Sequence, residues 1–231
     1  AHVRFLAKAE WDNNGGAVDY EALQGRTCYG GLDLSQSRDL TAFVLVFPRP
    51  DGGIDVLPRF FLPEKNIAEK SELDRVPYDI WAKQGFLTLI PGAVVDPSFV
   101  AEAIAEACEI YDVQRIAYDR WRIADLKREL DRMGAQTPLE PYGQGFRDMG
   151  PAVDKLERAV AEGRLCHAGN PLLTYCASNA VIEADPAGNR KLAKNKSSGR
   201  IDGLVALAMA LAVIDREPEN ELPACLAELM G

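Results

Sequence analysis

Three strand-forming runs, residues 28–34, 40–47 and 54–62, follow one another with only "SQSRD" and "PRPDGG" between them. Links that short and turn-rich predict an antiparallel meander. The first run, "YGGLDL", holds Asp33 in its middle. Aspartate is depleted in strands, and a buried carboxylate without a partner costs several kcal/mol or shifts its pKa. Asp33 is therefore either a turn or satisfied core carboxylate, or a metal ligand on a central strand.

The rest of the pattern sets the architecture. Residues 63–83 read as helical with a break near Pro77, and "FLTLI" as a short strand. "DPSFVAEAIAEACEIY" reads as a helix that Asp96 caps, with Pro97 at its first position and Val100, Ile104, Ala107 and Tyr111 on one face. "VQRIAY" is a strand ending at Asp119, "RIADLKRELDRMG" a helix closed by Gly134, and "TPLEPY" a short strand. Residues 148–162 and "PLLTYCASN" read as helices. "AVIEADPAGNRKLAK" reads as a β-hairpin turning within residues 185–189. "IDGLVALAMALAVI" is apolar almost all round, as a buried helix should be. Right-handed crossovers would put the later strands beyond the first, leaving it central in a mixed α/β sheet of five or more strands with helices on both faces. Residues 1–26 read as a lead-in linker, 27–215 as the folded domain and 216–231 as an acidic tail.

Composition narrows the chemistry. Histidines occur only at positions 2 and 167, which excludes a multi-histidine metal site, and His167 reads as structural. The five cysteines form no C-x-x-C pair, against a disulfide framework or thiolate zinc site. Metal chemistry would need carboxylates, which suit magnesium or manganese. No apolar run has the length of a membrane span, and no basic start leads into an apolar core. The chain lacks a starting Met and reads as a piece of a longer polypeptide. A net charge of −9 argues against unspecific nucleic-acid binding by the whole surface. One stretch runs the other way: "RKLAKNKSSGR" holds Arg190, Lys191, Lys194, Lys196 and Arg200 with no acid among them. It is either a solvated loop or a surface for phosphates.

Three aspartates sit where aspartate is awkward: Asp33 in the first strand, Asp119 at the carboxyl end of a parallel strand, and Asp202 in the first turn of an apolar helix. Asp202 alone would pass for a helix-dipole residue. Converged carboxylates repel one another, and divalent metal offsets that repulsion. Two magnesium ions about 3.5–4 Å apart can clamp the attacking and leaving oxygens of a phosphodiester displacement.

The motifs "GGLDLSQSRDLTAFVLVFP", "AYDRWRIADLKREL", "GQGFRDMGPAVDKLERAVAEGRL", "PLLTYCASNAVI" and "KSSGRIDGLVALAMAL" together resemble the C-terminal nuclease domain of phage terminase large subunits, of the type found in HK97-like tailed phages. The resemblance spans roughly residues 28–214. It implies a ribonuclease H-like fold and an endonuclease that uses two divalent cations, Mg2+ or Mn2+, to cut concatemeric double-stranded DNA during packaging. It carries catalytic and metal-ligand roles to Asp33, Asp119 and Asp202, with Asp39 as a further ligand unless "SRDL" is simply a turn. Lys194, Lys196 and Arg200, with Arg190 and Lys191, become the candidates for DNA backbone contacts. The partners implied are DNA, the terminase small subunit and the portal, in the cytoplasm of a bacterial host, with no membrane.

Complete large subunits resemble a P-loop ATPase joined to this nuclease, and no GxxxxGK[ST] occurs here, so no ATP hydrolysis is expected of this chain. Competing readings are another ribonuclease H-like nuclease such as a junction resolvase, a non-catalytic packaging module, and an actin-like nucleotide-binding domain. The last shares only "GLDLS" and lacks the glycine-rich adenosine motifs. Trp81 and Trp121 read as packing residues and Asn179 as a cap.

Overall fold

A computed structural model of the chain describes residues 4–34, 39–120 and 123–216. Trp121, Cys225 and nearly all of the acidic tail lie outside the described residues. After a short helix α1 (Lys8–Asn13) come the meander strands β1 (Thr27–Asp33), β2 (Thr41–Pro48) and β3 (Ile54–Pro63), antiparallel in sequence order. Helices α2 (Ile67–Asp74) and α3 (Tyr78–Lys83) cross to β4 (Thr88–Ile90). Next are α4 (Pro97–Ile110), β5 (Asp112–Tyr118), α5 (Ile123–Arg132) and β6 (Leu139–Pro141). The chain continues through α6 (Phe146–Ala161), β7 (Leu165–Cys166), α7 (Pro171–Asn179), the hairpin β8 (Ile182–Ala184) with β9 (Arg190–Leu192), and α8 (Asp202–Ala212).

Local chemistry accounts for the helix ends. The Asp96 carboxylate accepts from the Ser98 N–H at 2.9 Å with Pro97 in the first turn of α4. Gly134, at φ 67°, follows α5 in the left-handed region open to glycine. Asn170 caps α7 through Leu173 N–H at 2.9 Å.

The sheet has seven strands, six of them in the order β4-β3-β2-β1-β5-β6 with β7 also on β3. β1 is interior, antiparallel to β2 and parallel to β5. One face packs α8, with α6 and α7 behind it; the other is covered by α4 and α5. Two expectations need correction. β4 and β7 do not join the sheet beyond β1. Both run parallel to β3, whose outer edge is open for a crossover strand. The segment before β1 is not a linker, because Leu6, Trp11 and Leu23 are buried. Trp11 stacks on His167 with centroids 4.3 Å apart and donates to Thr174 Oγ1 at 3.0 Å. Buried Asn14 donates to Val160 O and accepts from Leu165 N–H. His167 is structural, as expected: its Nδ1 accepts from Gly169 N–H, so Nε2 is the nitrogen that donates to Trp11 O. Burial pushes its pKa down.

The position of α8 rests on Gly31. A Cβ there would stand 1.8 Å from Ala206 O, a clash with backbone that a side-chain rotation cannot relieve. Gly31→Val is expected to cost more than about 3 kcal/mol, above the usual range for overpacking. Gly145→Ala, where a Cβ meets nothing within 4 Å but glycine is the N-cap of α6, should cost no more than about 1 kcal/mol. Urea unfolding of the two variants beside the parent checks this.

Candidate active site

The parallel ladder brings the first two carboxylates together. Leu32 of β1 pairs with Tyr118 of β5, and the next residue on each strand is an aspartate, Asp33 and Asp119. Both therefore lie at the carboxyl edge of neighbouring parallel strands, where open α/β sheets place their sites. Asp33 is buried; Asp119 is partly exposed and lines a cleft of about 400 Å3 with Gln144, Glu183, Lys191 and Lys194. Asp202, also buried, opens α8 on the same side of the sheet.

A lysine joins Asp33 to Asp202. Lys194 Nζ lies 2.5 Å from Asp33 Oδ2 and 3.1 Å from Asp202 Oδ1. The contact to Asp202 is a directed hydrogen bond. The contact to Asp33 is a short ion pair that brings the ammonium onto a buried carboxylate. Burial is the main reason the Asp33 carboxyl is pushed up to about 7; Lys194 opposes it, while Asp202 and Asp119 add to it. Burial pulls the Lys194 ammonium down, but the two carboxylates outweigh it and hold it above its ordinary range. The Lys194 side chain is 49% exposed, so its stem is in solvent while its tip meets a buried oxygen. Cys176, buried as expected, has its thiol pushed up mainly by burial and then by Asp202.

Asp39 and Arg200 find each other. Arg200 donates to Asp39 Oδ1 at 3.0 Å and to Asp74 Oδ2 at 2.6 Å. Tyr78 OH donates to the same Asp74 oxygen at 2.6 Å. The Asn179 side chain donates to Arg200 O at 3.1 Å and accepts from Ser198 Oγ at 3.1 Å, so it ties α7 to the segment leading into Asp202. Sequence reasoning treated Asn179 as a cap and gave no sign of Asp74. Asp74 ends a helix with no buried residues, so it carries no periodic signal.

The basic stretch is acid-free only along the chain. Arg190 forks onto Glu157 and Asp154 on α6. Lys196 pairs with Glu183 at 3.3 Å across the hairpin. Lys191 lies 4.5 Å from the Phe146 ring centroid, a cation–π contact. The fold brings Lys191 and Lys194 to the cleft and commits Arg190 and Arg200 to ion pairs elsewhere.

Oxygen donors on two buried carboxylates that already share one cation fit a hard divalent cation. Among the described residues, no three His, Cys, Asp or Glu side chains are gathered closely enough to hold one as they stand. The cation between Asp33 and Asp202 is Lys194. A carboxyl whose folded pKa lies above its unfolded value contributes stability that is present below the unfolded pKa and lost as pH rises through the folded one. Metal-free protein should therefore lose stability relative to Asp33→Asn between pH 4 and about 7, by on the order of 4 kcal/mol. Paired urea titrations across that window in EDTA check the sign.

Comparison with known proteins identifies relatives of the chain. Residues 2–217 match the family "Terminase large subunit, endonuclease domain". The chain is 45% identical over 213 residues to the terminase large subunit of Enterobacteria phage HK97, covering 92% of this chain and 42% of that protein. It is 30% identical over 207 residues to protein YmfN of Escherichia coli (strain K12), covering 84% and 45%. It thus spans less than half the length of these curated relatives. The crystal structure of the HK97 large terminase matches with a TM-score of 0.86 at 45% identity, over 92% of this chain and 44% of that one. The large terminase nuclease of thermophilic phage G20c with bound magnesium shares the fold, with a TM-score of 0.53 at 15% identity over 82% and 84%. With the family match spanning residues 2–217 and 45% identity to the HK97 large subunit, the chain belongs to the endonuclease-domain family of terminase large subunits.

Proposed function

We propose that the chain is a divalent-metal-dependent endonuclease that cuts double-stranded viral DNA during genome packaging. The observation that supports this reading is the placement of Asp33 and Asp119 at the carboxyl edge of neighbouring parallel strands, with Lys194 bridging Asp33 and Asp202. Two Mg2+ or Mn2+ ions bound there would activate water and stabilise the charge that develops on the scissile phosphate. Asp33 is the rigid ligand, fixed at the end of a central strand. Asp202 is brought in by α8, and Asp119 presents the exposed side of the set. Asp39, paired with Arg200, stands outside this ligand set. The magnesium in the related G20c nuclease supports the choice of cation.

Lys191, which lines the cleft, and Lys196, paired with cleft-lining Glu183, are the proposed phosphate contacts; Arg190 and Arg200 serve the fold through their acids. Phosphate contacts position DNA without reading its sequence. The nuclease unit in this reading runs from α1 through α8. Its setting is a packaging assembly in the host cytoplasm with the motor, small subunit and portal as partners. Among the described residues no helix is long and apolar enough to cross a membrane.

Plasmid nicking with Mg2+, Mn2+ or EDTA tests the activity. Asp33→Asn, Asp119→Asn and Asp202→Asn should each lower cutting by at least about 100-fold, since even residues that only support a ligand are worth about 10–100-fold. Circular dichroism should show the fold retained. Wild-type cutting by any one of them removes that residue from the site. Lys191→Ala with Lys196→Ala should weaken DNA binding and lower the log–log salt slope by about 2. Parallel slopes for parent and variant in a salt series would assign both lysines to the fold alone.

A further inference from the structure

We infer that Lys194 is a tethered counter-cation: its ammonium holds the place of a divalent ion between Asp33 and Asp202, and metal binds only as Lys194 leaves. This rests on the metal-nuclease reading above and adds a competition that the reading does not require.

Three observations support it. The ammonium already contacts both carboxylates, at 2.5 Å and 3.1 Å. A hard cation binds carboxylate oxygen at about 2.0–2.6 Å, so the two would crowd onto the same oxygens while carrying like charge. The coexistence of a single positive charge and a doubly positive ion at that separation is strongly unfavourable in a buried setting. The lysine can also leave. Its stem is half exposed, and Asn195 and Lys196, which follow it, are exposed. The displaced side chain enters the cleft it shares with Lys191. Arg200 offers the contrast, since its side chain and carbonyl are both held by neighbouring elements. Two buried like charges therefore have an internal neutraliser before metal arrives, and Lys194 must exchange when it does.

Mn2+ titration calorimetry on DNA-free protein, with Mn2+-induced shifts in melting temperature, tests the competition. Lys194→Met should bind Mn2+ about tenfold or more tightly than wild type and show the larger melting shift. Lys194→Arg, which keeps the charge, should stay near wild type. Lys196→Met, which removes a nearby charge outside the carboxylate pair, should change Mn2+ affinity much less than Lys194→Met. Equal or weaker Mn2+ binding by Lys194→Met, or an equal gain in Lys196→Met, overturns the competition and leaves the nuclease reading standing. Absence of Mn2+ binding in every protein, wild type included, overturns both. If Lys194→Met fails to fold without metal, Lys194→Gln takes its place with the same expectations.

Discussion

The close approach of α8 to β1 at Gly31 is the constraint on which the site depends. Gly31 and Asp33 are two apart on the strand, so they face the same side, a rise of about 6.8 Å. Ala206 and Asp202 are four apart on the helix, so they share a face, a rise of about 6 Å. With Ala206 seated on Gly31, the two spacings nearly match and Asp202 falls beside Asp33. Any side chain at position 31 would lift the helix and separate the carboxylates before it disturbed either one directly. The neighbouring parallel strand adds Asp119 one residue past the Leu32–Tyr118 pair. A packing contact thus sets the electrostatics.

Such a cluster costs folding free energy unless positive charge is supplied, and the fold supplies it from the hairpin. β9 ends at Leu192, and two residues later Lys194 turns its tip toward the carboxylates. The raised Asp33 carboxyl and the raised Lys194 ammonium express one balance: burial works against both charges, and each steadies the other. With burial the larger influence on Asp33, the lysine offsets the cost only in part.

The meander, the α4 cap, the buried last helix and the hairpin were legible because each rests on local pattern: alternation, a capping side chain, an all-apolar helix and a turn sequence. The three aspartates stood out because each violates such a pattern. What could not be read were features made by contacts distant in sequence. β7 is two residues long and exists because Asn14 and β3 receive it. Trp11 and His167 are far apart in the chain and explain each other only when stacked. The basic stretch looked like an open patch because its acids, Asp74, Asp154, Glu157 and Glu183, lie elsewhere in sequence. Charge read along a chain overstates what a surface presents whenever the fold can bring counter-charges to it.

The connection from β9 to α8 shows how one segment can serve a fixed ligand and an exchangeable one. Its near end is held by Ala193 N–H to Val181 O at 2.9 Å and by a turn closed on Ala193 O. Its far end is held by Asn179 on Arg200 O and by the Arg200 ion pair with Asp74, which is mostly shielded from water. Between these anchors Lys194 and Asn195 are exposed, which leaves the Lys194 side chain room to turn. Asp202 need not move with it. On the proposed metal-site reading, loss of the Arg200 anchor would shift Asp202, whereas loss of the Lys194 tip would leave Asp202 in place. That division places the stiffness of the site in α7, α2 and the central sheet, and its adjustable charge in one flexible side chain.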